Sequence, residues 1–260
     1  MRRLLITGTS HVAALKAGWE TMTDRPAGLE VEFLAANSTE FPYFTLNADR
    51  VFGLHHENTR SPQQVALARA VSGKLLQRIS DFSHVLICGL NFGQFPLLRL
   101  LGSYRVDGLR EPEVPWPHLS DSAYRAFCLA LALAPQEFPH ALLPDFVKLC
   151  KVGVSPSPRR NEAILTDPSA NPWFQTIAQF PHGMAEAMAL ADAEIAQACA
   201  ARGATHFAPP AACLTDQGFT KAEFSRGYVR ISGTNPVDHS HVNAAYGAIR
   251  LCAILDWALA

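Results

Sequence analysis

Ser10, Asn91, Asp238 and His241 are the residues of this chain whose types and settings suit acyl chemistry. Ser10 closes the stretch Leu4-Leu5-Ile6-Thr7-Gly8-Thr9-Ser10. Its short apolar run reads as a buried strand, Gly8 permits a sharp turn, and Ser10 falls where a helix begins. A serine there stands at the carboxyl edge of a sheet, where open α/β sheets bind ligands, among unpaired backbone N–H groups. Two roles fit it at this point: a nucleophile, or a simple helix cap shared with Thr9. Asp238-His239-Ser240-His241 precedes the last helical stretch of the chain. Asp238 and His241 are close enough to share one turn. The carboxylate can accept the imidazole Nδ1–H, fix the tautomer and leave Nε2 as a base. The nearby helix N-terminus favours the neutral imidazole, whereas Asp238 favours the imidazolium, so the two effects oppose each other. The competing account makes Asp238 a turn former, Ser240 the cap, and His239 and His241 surface residues.

The elements that must position these groups alternate between strand and helix. Apolar runs at 4–8, 29–36, 84–89, 146–154 and 204–207 read as five strands. Helical spacing covers 12–22, a stretch begun by Ser61-Pro62-Gln63-Gln64 as a capping box and continued along Val71, Leu75 and Ile79, then 184–201 and 242–259. Phe41, Tyr43, Phe44, Val51 and Phe52 suit a hairpin turning at Asn47-Ala48-Asp49, and His55-His56 follows as a solvated loop. Segment 95–144 is the least regular. Glu111-Pro112-Glu113-Val114-Pro115-Trp116-Pro117 cannot continue a helix or central strand, and a short helix starts at Ser120-Asp121 with Tyr124, Phe127, Cys128 and Leu131 on one face. It reads as an insertion between sheet elements, with Trp116 and His118 packed on the body. Alternating strands and helices make a parallel sheet covered on both faces the economical architecture. The first and third strands should then be neighbours, placing Ser10 and Asn91 at one edge.

Composition narrows the function classes. The chain has 260 residues, 48% hydrophobic, with a formal net charge of -1, so it can bury a core and has no basic field for nucleic acid or an anionic membrane. Six cysteines without a CxxC pair suit buried thiols in a reducing compartment. The apolar run after Met1-Arg2-Arg3 is interrupted too soon for a signal peptide, and nothing approaches a membrane span. The expected setting is cytoplasmic.

Gly8-Thr9-Ser10, Gly89-Leu90-Asn91 and Asp238-His239-Ser240-His241 together resemble the first, third and fifth blocks of the SGNH hydrolase superfamily, the GDSL esterase/lipase family. They occur in the family's order and span almost the whole chain. The resemblance implies a flavodoxin-like three-layer α/β/α sandwich around a central, mostly parallel five-stranded sheet. It implies one domain over 1–260, with a Pro-rich insertion around 95–144. It implies a Ser10–His241–Asp238 triad working through an acyl-enzyme, and an oxyanion hole from the Ser10 N–H and the Asn91 amide. The substrate would be a small-molecule or carbohydrate ester, with no metal or organic cofactor. Thr9 and Phe92 stand where the family has aspartates, and the second-block glycine donor is not clear: Asn37, Ser38 and Gly53 are the candidates. An acyltransferase using the same triad, and a non-catalytic binding or scaffold protein on this fold, are the alternatives. The Gly-x-Ser-x-Gly elbow of α/β-hydrolases is absent, since Val12 occupies the last position. A Walker lysine and a full dinucleotide fingerprint are missing too.

Overall fold

A computed structural model of the chain describes residues 1–58, 62–92, 94–109, 116–133, 139–227 and 238–260. Five strands build the central sheet: β1 (Arg2–Gly8), β2 (Leu29–Ala35), β3 (His84–Leu90), β4 (Lys151–Pro156) and β5 (Ala204–His206). Their spatial order is β5-β4-β3-β1-β2, with every neighbouring pair parallel. Along the sheet this is the order 2-1-3-4-5, in which the winding reverses at β1 and opens a crevice at the carboxyl ends of β1 and β3. The helices are α1 (Val12–Thr21), α2 (Pro62–Ser72), α3 (Gln94–Leu101), α4 (Asp121–Leu133), α5 (Pro139–Phe146), α6 (Pro172–Gln179), α7 (Met184–Ala200) and α8 (Ala244–Leu259).

Period-two alternation assigns the two sides of the sheet. Leu4, Ile6 and Leu86 pack with Val12 and Leu15 of α1 and Leu251, Ile254 and Leu255 of α8. Leu5, Val85, Ile87, Val152 and Val154 face the opposite way, against Ala68 of α2, Phe146 of α5, and Ile195, Ala198 and Cys199 of α7. The sheet is therefore wholly parallel and covered by helices on both faces.

The expected first–third neighbourhood is met, with Leu4 to Gly8 in register with His84 to Cys88. The expected hairpin forms only in part, as Thr45–Leu46 against Val51–Gly53; Phe41–Tyr43 is a short 3-10 helix rather than strand, with Pro42 in its first turn. Other boundaries differ. The stretch expected to be one strand from 146 begins only at Lys151, because Phe146 ends α5 and the Val147, Leu149 and Cys150 N–H groups bond back to Leu143 and Phe146 carbonyls. Likewise α2 stops at Ser72, whose hydroxyl bonds back to Ala68, and Gly73 takes φ 72 as a helix-ending residue. Leu76–Arg78 then forms a third strand beside the hairpin instead of prolonging the helix. His55 is not a solvated loop residue: it is buried, with Nε2 3.1 Å from the Val51 carbonyl oxygen and 3.2 Å from that of Thr45.

Segment 95–144 is more regular than its prolines imply. It carries α3, α4 and a short parallel pair, Arg105–Val106 with His118–Leu119. Leu97, Leu98, Leu101, Tyr124 and Cys128 join Phe174, Met184 and Met188 in a second core, and the Tyr124 hydroxyl donates to the Ala187 carbonyl at 2.7 Å. Trp116 packs edge-on against Phe180, and exposed His118 pairs with Asp107. The cap expected at Ser61 and the prolines at 112, 115 and 135 lie outside the described residues.

All six cysteines are free; Cys88, Cys128, Cys199 and Cys213 are buried and Cys252 is exposed. Among the described residues no helix is long and apolar enough to cross a membrane, and no cluster of His, Cys, Asp and Glu could hold a metal ion.

Candidate active site

The carboxyl end of β1 runs straight into the turn that presents Ser10. Gly8 takes φ 149, and a Cβ there would lie 1.9 Å from the Cys88 carbonyl oxygen, so only glycine lets β1 and β3 close at this point. Thr9 ties the turn to the end of β3: its N–H donates to the Cys88 carbonyl and its hydroxyl to that of Gly89, both at 3.1 Å. Neither hydroxyl caps α1, which begins without a side-chain cap. The capping role open to Ser10 in the sequence is therefore not the one it takes.

Its hydroxyl instead meets a residue 231 positions away: Ser10 Oγ lies 2.8 Å from His241 Nε2. His241 Nδ1 lies 2.6 Å from Asp238 Oδ2, while Asp238 Oδ1 accepts the backbone N–H groups of Ser240 at 2.9 Å and His241 at 3.2 Å. With Asp238 ionised, Nδ1 carries the proton and donates to the carboxylate, leaving Nε2 to accept from the Ser10 hydroxyl. Burial pushes the Asp238 carboxyl up, but the Ser240 N–H, the charge and ring N–H of His241 and its backbone N–H outweigh it, and the net shift is downward. Asp238 thus forms the turn and pairs with the imidazole at once. Ser240 does not cap α8; Asn243 does, accepting the Tyr246 N–H. The Ser240 hydroxyl accepts from the Arg160 guanidinium instead.

The backbone around His241 is strapped from two sides. Arg226 N–H donates to the His241 carbonyl at 3.1 Å, and Asn243 N–H to that of Phe224 at 3.0 Å. Asn161 N–H donates to the His239 carbonyl at 2.9 Å. His239 itself is half-buried, with Nε2 2.8 Å from Asp167 Oδ2, so it is held against the body and is not the free surface residue of the competing account. That bond, with those from Ser169, holds the Asp167 carboxyl down to about 2.

Two helices then fix how close serine and histidine come. α1 starts two residues after Ser10 and α8 three residues after His241, and they cross at Gly18 and Gly247. A Cβ on Gly247 would lie 1.9 Å from the Ala14 carbonyl oxygen, and one on Gly18 would lie 2.4 Å from the Ala248 nitrogen. Only glycine-to-backbone contact permits this approach.

The linked Ser10, His241 and Asp238 open on a cavity of about 450 Å³ walled by Ser10, His11, Ala13, Ala17, His241 and Arg226. His11, which sequence reasoning passed over, stacks its ring on His241 with centroids 4.9 Å apart and planes 23° from parallel. Burial, then the charges of His241 and Arg160, push its pKa down to about 3, so the ring is neutral. One edge reaches the cavity, while Nδ1 is enclosed without a hydrogen-bond partner. A buried polar atom left unmatched costs about 1–3 kcal/mol. The signal for His11 was its place directly after Ser10; His239 and Asp167, 72 positions apart, gave none.

The remaining candidates fall differently. Asn91 is exposed just beyond β3, at the same sheet edge as Ser10, but lines a neighbouring hollow with Gln94 and Ser157. Phe92 is a buried core residue held at φ 39. Asn37 follows β2 and spends its side-chain oxygen on a turn with Thr39 and Glu40, and Ser38 is exposed. Gly53 belongs to the hairpin sheet, where a Cβ would lie 2.0 Å from the Leu75 carbonyl oxygen; its place is a strand contact. No protein-family model matches the chain, and no curated protein matches it as a relative.

Proposed function

We propose that the chain is a serine esterase of the SGNH (GDSL) type, cleaving carboxylic esters through a Ser10–His241–Asp238 triad on a flavodoxin-like α/β/α fold. The observation that carries this reading is the unbroken chain of short contacts, 2.8 Å from Ser10 to His241 and 2.6 Å from His241 to Asp238, opening on a cavity. A caps-and-turns account has no need of the first contact, which joins the two ends of the chain.

In the proposed reaction His241 Nε2 takes the Ser10 proton as Oγ attacks the ester carbonyl. Asp238 stabilises the imidazolium so formed. In this reading the Ser10 N–H, in the turn that leads into α1, donates to the developing oxyanion, and the Asn91 amide at the same sheet edge, which lines the neighbouring hollow, is its candidate partner donor. His241 then protonates the departing alcohol, and activates water to release the acid. A cavity of this size accommodates a small-molecule ester, such as an acetyl or short acyl ester of a carbohydrate, and the expected setting is the cytoplasm. An alcohol other than water reaching the acyl-enzyme would turn the same steps into acyl transfer.

The test is Ser10-dependent turnover. Wild-type protein should hydrolyse members of a short-chain ester panel, and Ser10→Ala should lose at least ~10³-fold in kcat. Equal rates for the two proteins, or none for either, would remove the esterase reading and leave a binding protein on this fold. Product analysis with a sugar acceptor present separates transfer from hydrolysis.

A further inference from the structure

Among the described residues, His11 is the one ring in the cavity that the proposed triad does not use, and its setting is unusual. It directly follows Ser10, stacks on His241 at 4.9 Å, and shares the cavity wall with both. Its Nδ1 is enclosed among protein atoms with no hydrogen-bond partner among the described residues. Its Nε2 is neither enclosed nor hydrogen-bonded to any described residue. Packing alone gives no reason for an imidazole here, because a hydrocarbon ring would stack equally well and leave no buried nitrogen unmatched.

The geometry also selects a tautomer. A lone imidazole proton belongs on the nitrogen that can reach a partner, since an enclosed N–H without an acceptor is rarer than an under-used acceptor. Nδ1 has none, so the proton sits on Nε2, at the open edge of the ring. Stacking on His241 holds that N–H in place before substrate arrives. Burial and the charges of His241 and Arg160 oppose protonation of the His11 ring and outweigh the charge of Asp238, which favours it. His11 is therefore a fixed neutral donor beside a serine whose oxyanion donors are few: Asn91 lines a different hollow, and Gly53 is spent on the hairpin.

We infer that His11 donates a hydrogen bond from Nε2–H to the substrate oxygen that becomes negatively charged when Ser10 attacks, an inference that rests on the esterase reading above. In that step the Ser10 Oγ–carbon bond forms, the carbonyl π electrons move to oxygen, and the Ser10 proton passes to His241. The His11 proton stays on Nε2 throughout.

The experiment compares wild type with His11→Phe, His11→Leu and His11→Gln on one soluble ester, with thermal melts on each protein. Phe keeps the ring face and removes the donor; Gln restores an N–H at a similar reach. The inference expects kcat to fall about 10²-fold or more in His11→Phe and His11→Leu, with KM changed less than threefold, and His11→Gln to stay within about tenfold of wild type. Melting of His11→Phe should be no lower than wild type, because the unmatched Nδ1 is gone. Should His11→Phe fail to fold, the Leu-against-Gln comparison decides. Wild-type kcat in the Phe or Leu variants, equal losses in Leu and Gln, or a change confined to KM would overturn the inference while the esterase reading stands. A wild-type protein without Ser10-dependent turnover would end both.

Discussion

Substituting Gly247 by alanine tests how the fold sets the distance between nucleophile and base. The added Cβ would lie 1.9 Å from the Ala14 carbonyl oxygen, about 1.5 Å short of ordinary contact. Both partners are helical backbone, so no side chain can swing away and the helices themselves must part. Helix propensity alone favours alanine by about 0.8–1 kcal/mol, whereas overpacking a tight contact costs about 1–3 kcal/mol. The net expectation is a loss of up to about 2 kcal/mol, seen as a melting point lower by up to ~8 °C at ~2–4 °C per kcal/mol. Function should suffer more than stability. α1 carries Ser10 and α8 carries His241, so parting the helices by about 1 Å stretches the 2.8 Å contact beyond hydrogen-bond reach. A misplacement of that size costs about 10²-fold in rate. Thermal melts and kcat on a soluble ester measure the two effects. A Gly247→Ala protein that melts higher than wild type and keeps its kcat would refute the idea that this crossing sets the triad distance.

Further expectations follow from single contacts. Asp238→Asn should lower kcat by up to ~10⁴-fold with the fold retained, because an amide that donates to Nδ1 leaves the wrong tautomer at Nε2; steady-state kinetics with circular dichroism checks it. His11, neutral in the fold with its pKa pushed down to about 3, takes up a proton near 6.5 on unfolding, so its burial destabilises the fold as pH drops from about 6.5 towards 3. Denaturant melts from pH 7 to 4 should therefore show a shallower loss of stability in His11→Phe than in wild type; parallel losses would contradict this. Arg250, buried in α8, bridges the Ser155 hydroxyl and the Phe207 carbonyl. Arg250→Ala should cost at least about 2 kcal/mol in equilibrium unfolding by stranding both groups. Cys252 should be the only thiol that reacts quickly with an aromatic disulfide in native protein, since Cys88, Cys128, Cys199 and Cys213 are buried with thiols pushed up to about 11, and half-buried Cys150, bonded to the Phe146 carbonyl, is pushed up to about 12.

Strand identity was legible wherever an apolar run met a turn signal: β1, β2, β3 and β5 begin and end close to where composition changes. The start of β4 was hidden because α5 and the turn after it are as apolar as the strand, with no glycine between them. The end of α2 was masked in the opposite way: the apolar spacing of Val71, Leu75 and Ile79 continues past Gly73, whose left-handed φ of 72 ends the helix. That Ser10, His241 and Asp238 could meet was readable because each sits at a strand or helix boundary, and the structure brings them into one chain of contacts. His11 was not, since its role depends on a ring stack between residues 230 positions apart in sequence. The His239–Asp167 pair and the Gly18–Gly247 crossing were equally invisible: each is a contact between distant segments whose local sequence is ordinary.

Whether Ser10 is an activated nucleophile is read most directly by mapping a fluorophosphonate adduct with peptide mass spectrometry. A single adduct should form on Ser10 and be lost in His241→Ala at the same pH. An unlabelled protein, or an adduct on another residue with Ser10 untouched, would contradict it.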